Sequence, residues 1–239
     1  MESMKRSPET FQSENDVLTF RRIRSAIGWL GIGLPVILVV LPFIDLFDTK
    51  IQPSISHYYY TNFRELFTGV LCAVGLFLIR YKGHKNSIIW KNDSLMTNIA
   101  GGMAFGIALF PTNPDSCCQK VYTIIPFCHS YLGGLHYGFA AVFFVILAII
   151  SINVFTIGQE ENSEIPIGMF NENKIYRTCG WLILLFVILV PVFAHFKVHY
   201  GTLICEALAL FSFGFSWLIK GRALGDKGKT GRMIYRENN

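Results

Sequence analysis

Six long apolar runs constrain this chain before anything else does. They cover about 26–47, 65–81, 94–111, 131–156, 178–196 and 201–220. A helix needs roughly 17–25 residues to cross a hydrocarbon core of about 30 Å. Most of the runs reach that length. The second does so only with Glu65 and its neighbours, and the third only by running through "GIALFPT". Stretches such as "AAVFFVILAIISI" are apolar on every side and show no alternation. Backbone groups in lipid must be satisfied within the segment, so such a run is helix rather than barrel strand. The expected fold is therefore all-α, a polytopic integral membrane protein built as a six-helix transmembrane bundle over 26–220. A polar segment, 1–25, precedes it and a basic tail, 221–239, follows. Charged residues make up 15% of the chain, against about 25% in soluble domains. No cleavable signal peptide is expected, because the first 25 residues are polar and the first apolar run is too long.

The basic residues give the expected orientation. With the N-terminus inside, 17 of the 21 lysines and arginines fall in inner segments, leaving Lys50, Arg64, Lys120 and Lys197 outside. This is the positive-inside bias of an N-in, C-in, six-span protein. The tail "KGRALGDKGKTGR" then reads as an orientation signal with affinity for anionic lipid, and no nucleic-acid partner is expected. The third outer loop holds Cys117, Cys118 and Cys128, and Cys128 is expected to pair with Cys117 or Cys118 if that side is oxidising. Cys72, Cys179 and Cys205 lie in spans, where small packing roles are expected. No CxxC pair is present, which argues against a zinc ribbon.

With this topology five of the six histidines lie at the outer side: His57, His129, His136, His195 and His199. Asp45, Asp48, Glu65, Asp115 and Glu206 join them, with Arg64 opening the second span. Tyr58, Tyr59 and Tyr60 match an interfacial aromatic belt. His136 and Glu206 are harder to dismiss, since each falls inside a span. An ionisable group at mid-membrane costs about 2.5–3.5 kcal/mol on insertion scales, so it should face the bundle and find partners.

Three readings of this cluster stay open. The first is a buried polar network, with Arg64 pairing Glu65 or Glu206. The second is a pocket for a lipid headgroup or small ligand, in which the planar fork of Arg64 suits phosphate. The third is a zinc site of His136, His195, His199 and Glu206, joined in one variant by His57, with an open water position for hydrolysis of a lipid amide or ester. His195 and His199 are four residues apart and share a helix face only if the fifth span extends that far. "HFKVHYGTLICE" is otherwise a short outer turn between spans five and six. There is no HExxH, no Walker loop, no GxGxxG and no GxSxG, and no lysine sits mid-span. A transporter would need a polar inner half, and only Thr97 and Asn98 stand out there. Pro35, Pro42 and Pro191 are candidate kinks. "GGMAFG" and "GGLHYG" offer small faces for close helix contact.

The phrases "SISHYYYTNFRELFTGVLCAVGLFLIRYKG", "GIALFPT", "LHYGFAAVFFVILAIIS" and "EALALFSFGFSWLIKG" resemble a group of uncharacterised bacterial six-span membrane proteins. More loosely, the chain is similar to the DRAM/Sfk-type six-span membrane family of eukaryotes. Ser54 or Ser56, and His136 with Ala140, stand at that family's outer serine and the histidine opening span four. "TNFRE" replaces the family's proline–glutamate step. The resemblance implies a role in membrane lipid organisation or remodelling without an established catalytic centre. A thinner likeness, to seven-span metal-dependent lipid hydrolases of the alkaline ceramidase and adiponectin-receptor type, rests on scattered His and Glu residues.

The leading expectation is a protein of a cell membrane, the inner membrane if bacterial, that binds a lipid or small ligand in an outer-leaflet polar pocket. Membrane lipids are its expected partners, and a homo-oligomer stays open. The residues expected to line the pocket are His57, Arg64, Glu65, His136, His195, His199 and Glu206.

Overall fold

Each apolar run becomes a helix, but with altered ends. The structure, a computed structural model, describes residues 8–81, 83, 85–113, 130–157 and 172–223. Six α-helices follow in order: α1 (Pro8–Val40), α2 (Arg64–Arg80), α3 (Asp93–Leu109), α4 (Ser130–Ile149), α5 (Glu172–His195) and α6 (Gly201–Lys220). Among the described residues there is no β-strand. Four helical segments are long and apolar enough to cross a membrane: Val17–Phe43, Tyr131–Val154, Glu172–His195 and Gly201–Lys220. α2 and α3 have 17 residues each. At about 1.5 Å per residue each rises roughly 25 Å. The expected bridge among Cys117, Cys118 and Cys128 lies outside the described residues, while Cys72, Cys179 and Cys205 are free thiols.

Local chemistry explains several boundaries. α1 begins inside the polar segment and ends where Pro42 enters a 3-10 turn, Leu41–Phe43. Asn92 caps α3 by accepting the Leu95 N–H at 3.1 Å, which satisfies one of the orphan donors of the first turn. α4 runs on through a π turn, Ile150–Val154, where the Ser151 hydroxyl bonds the Tyr176 carbonyl at 3.0 Å. α5 starts six residues before the apolar run, with Glu172 in its first turn, where a carboxylate suits the helix dipole. Pro35 and Pro191 lie inside α1 and α5.

The packing order is α5 on α6, α2 on α3, α1 on α6, and α3 on α4, whereas α4 and α6 barely meet. Glycine makes two of these crossings close. A Cβ on Gly214 of α6 would lie 2.6 Å from the Gly28 carbonyl of α1, and one on Gly101 of α3 would lie 2.7 Å from the Gly75 carbonyl of α2. In lipid, small residues at a crossing bring backbones together where hydrophobicity alone gives no drive. The "GGMAFG" face is used in this way through Gly101, but Gly134 and Gly138 of "GGLHYG" meet nothing within 4 Å.

Large apolar side chains remain on the outside, including Trp181, Leu185 and Ile188 of α5 at 63%, 49% and 64% exposure. Such a face suits hydrocarbon rather than water. Inside, Phe143, Phe155, Phe213 and Trp217 are buried and meet edge to face, at centroid distances of 5.2 to 6.3 Å. They separate two polar ends.

At one end the Lys220 ammonium bonds the Phe155 carbonyl at 2.8 Å and lies over the rings of Phe155 and Tyr176. Beside it, Arg24 donates to the Tyr81 hydroxyl, which donates to Asp93 at 2.8 Å. Sequence reasoning found little polar here beyond Thr97 and Asn98, and missed this network. Thr97 itself is buried and bonds back to the Asp93 carbonyl of its own helix at 2.9 Å. The other end carries the candidate site.

Replacing Gly214 by leucine is expected to cost roughly 1–3 kcal/mol or more through overpacking, seen as a lower melting temperature in detergent. Gly33→Ala, which meets open space, should leave the melt unchanged.

Candidate functional site

Glu206 organises this end. It lies in the second turn of α6, half-buried, and its Oε2 accepts the backbone N–H of Ile55 at 2.5 Å. The Ser56 N–H bonds the same carboxylate. The Leu203 N–H, an orphan donor in the first turn of α6, bonds the Pro53 carbonyl at 3.0 Å. Residues 53–56, which are neither strand nor α-helix, are thus stitched to α6 by main-chain bonds on both sides of Ser54.

The 3-10 helix Ser56–Tyr60 continues from that seam. Ser54 Oγ accepts the His57 backbone N–H at 3.2 Å and lies 2.6 Å from His57 Nδ1. Ser56 Oγ lies 3.0 Å from His136 Nε2, and His136 Nδ1 lies 2.7 Å from the Phe110 carbonyl. A carbonyl only accepts, so Nδ1 carries the proton and Nε2 is left to accept from the Ser56 hydroxyl. His136 is fully buried. Tyr60 donates to the Thr112 carbonyl, and the Thr112 hydroxyl donates to Tyr137 at 3.0 Å. The segment before α2 is therefore locked to α6 on one side and to the ends of α3 and α4 on the other.

Where α4 and α6 stay apart, a cavity of about 810 Å³ opens between α4, α5 and α6. Its walls are apolar and partly small: Ala140 and Phe144 of α4, Val187 and Ala194 of α5, and Ala209 of α6. Its rim is polar: Ser54, Ser56, His57, Tyr137, Lys197 and His199, with Glu206 at one side. Lys197 and Tyr200 belong to the turn between α5 and α6 and hold φ of 51° and 54°, a left-handed backbone that non-glycine residues adopt at some cost. Both side chains line the cavity. In the 3-10 helix Ser56–Tyr60, burial pushes the Tyr58 phenol above its usual range.

The structure sorts the expected site residues. His57, His199 and Glu206 line the cavity, and His136 stands directly behind Ser56. Arg64, Glu65 and His195 are not part of it. Arg64 pairs with its neighbour Glu65 at 3.1 Å, where Glu65 is 74% exposed, and it does not meet Glu206. His195 is exposed at the end of α5 against the Phe196 ring.

The zinc set is not assembled. Among the described residues no three His, Cys, Asp or Glu side chains come together as a metal-binding group. The physical reason is that His136 and Glu206 are each committed to Ser56 or to main-chain donors, and α5 ends at His195. His199 therefore sits in the following turn instead of on a shared helix face. That turn, 196–200, is the short connection expected of "HFKVHYGTLICE". The tyrosine belt is corrected as well: Tyr58 and Tyr59 are buried, at 0% and 5% exposure.

Sequence reasoning missed Ser56, Tyr137 and Tyr200. Ser56 was signalled only through the resemblance that paired Ser54 or Ser56 with His136. The alanines Ala140, Ala141, Ala194 and Ala209 were a readable sign of space, but only if the three helices were known to face one another. No protein-family model, curated protein or solved structure matches the chain.

Glu206→Ala should cost about 1.5–3 kcal/mol, the value of hydrogen bonds to a charged group, since it strands two backbone donors. Glu206→Gln, whose amide oxygen still accepts, should recover most of the lost melting temperature. Equal melting of the alanine variant and wild type would refute this role.

Proposed function

We propose that this is an integral membrane protein that crosses the bilayer six times, with both termini cytoplasmic, and binds a lipid in the cavity between α4, α5 and α6. The cavity opens to the outer leaflet, and its ligand is an amphiphile. The observation that carries the reading is the division of the cavity, with small and aliphatic walls below and a rim of Ser54, His57, Lys197, His199 and Glu206 above. Alkyl chain suits the first, and a polar or anionic headgroup suits the second, where Lys197 supplies a cation. Most ligand pockets fall at about 300–1,000 Å³ and combine apolar walls with a few polar groups.

Orientation rests on charge. Seventeen of the 21 basic residues fall on the side of the termini, as the positive-inside rule requires. α2 and α3 enter the count of spans because about 17 residues is the lower limit for crossing, and their neighbours α1 and α4 are long enough to fix them in the same layer.

Native mass spectrometry of gently extracted protein should show a co-purified lipid. Ala140→Trp, which fills the cavity, should remove it, and Val145→Trp, on an exposed face of α4, should not. Lipid retained in Ala140→Trp to the wild-type level would overturn the pocket. In a background lacking the native cysteines, an impermeant maleimide on intact cells should label Lys197→Cys and not Lys91→Cys. The reverse pattern would overturn the orientation.

A further inference from the structure

The geometry assigns Ser56 and His136 to a second activity in the same cavity: acyl transfer from a carboxylic ester of the bound amphiphile to Ser56, followed by hydrolysis. The assignment rests on the lipid-pocket reading above.

Three parts of an activated serine are in place. The nucleophile Ser56 is half-buried and lines the cavity. Its base, His136 Nε2, is 3.0 Å away and is the acceptor nitrogen of its ring. The orienting group is the Phe110 carbonyl, which holds Nδ1–H at 2.7 Å and fixes both tautomer and ring direction. A nucleophile within hydrogen-bond reach of a base that a third group orients is the general signature of covalent catalysis, whatever the fold.

The two residues are 80 apart in sequence, so the pair is assembled by tertiary structure. Ser54 and His57 differ. They lie three residues apart, Ser54 is buried, and its oxygen also takes the His57 main-chain N–H, which is a local turn bond. Ser56 thus has the reactive geometry and Ser54 the structural one.

The reaction balances with water as co-reactant. Ser56 Oγ forms a bond to the acyl carbon as its proton passes to His136 Nε2, and the carbonyl π pair moves onto oxygen. As the carbonyl reforms, the carbon–oxygen bond to the alcohol breaks and the alkoxide takes the proton from Nε2. Water then attacks the acyl–Ser56 ester, giving its proton to Nε2, and Ser56 leaves with that proton, releasing a fatty acid.

The N–H groups of Ile55 and Ser56 are held by Glu206, so the donor for the oxyanion comes from a side chain. In this proposal that role falls to Tyr137. Its oxygen accepts from Thr112, so its own proton is available to donate, and it lines the cavity.

The test is a long-chain alkyl fluorophosphonate, applied to wild-type protein exchanged into detergent, with peptide mass spectrometry to locate the adduct. The expected result is one phosphonate per chain on Ser56. Ser56→Ala should take no label while still melting cooperatively, at a temperature lowered by the loss of the His136 Nε2 partner; His136→Gln should slow labelling by about 100-fold or more, and Tyr137→Phe should slow it less. Unlabelled wild-type protein, or label on Ser54 or elsewhere, overturns the dyad. Lipid counted by native mass spectrometry in the gently extracted protein, before the exchange, separates the two ideas: protein that carries lipid then but takes no label ends the dyad alone, and protein that carries no lipid then and takes no label ends both.

Discussion

A carboxylate two turns into an apolar helix must be supplied with hydrogen bonds, because leaving it unpaired away from water is among the more expensive arrangements a protein can hold. Glu206 is supplied by the main chain. The N–H groups of Ile55 and Ser56 reach it from a segment with no regular secondary structure to satisfy them. Each side solves the other's problem, and the Leu203 to Pro53 bond reinforces the seam. The geometry of this end depends on it. The seam sets where Ser56 begins its short helix, which faces Ser56 toward His136 and His57 toward the rim.

The rest of the bundle decides what that seam can do. α4 and α6 barely meet, while α5 packs closely on α6 and α1 reaches α6 through Gly28 and Gly214. Small residues in the gap leave volume where larger ones would fill it. Lower down, Phe143, Phe213, Trp217 and Phe155 meet edge to face. Beyond them Lys220 and Arg24 hold a separate polar network, beside a second cavity of about 340 Å³. An aromatic layer thus lies between the two polar ends.

Most of the architecture was legible in the sequence because the bilayer makes a simple demand: long apolar runs must be helices. All six runs became helices, and the turn at 196–200 fell where the histidines and lysine interrupt the apolar pattern. The ends were less legible. Glu172 lies in the first turn of α5, where a carboxylate is favoured by the helix dipole, whereas hydropathy alone sees only a charge. The tyrosines 58–60 carry the composition of a membrane belt, yet tertiary contacts with the core claim two of them. The site was half legible. Glu206 and His136 stood out because ionisable groups inside spans must have partners, and they do. Arg64 and His195 were expected in the same pocket but sit at helix ends, where water or a neighbour suffices. Ser56 carries no charge, so burial cost could not flag it. Only its distance to His136 does, and that distance is a property of the fold.

A cryo-EM map of the protein in lipid nanodiscs tests the central claim most directly. The account predicts Glu206 seated on the Ile55 N–H, α4 held away from α6, and elongated density between them ending near Lys197 and His199. A map with Glu206 turned away from residues 53–56 and α4 packed directly against α6 would contradict it.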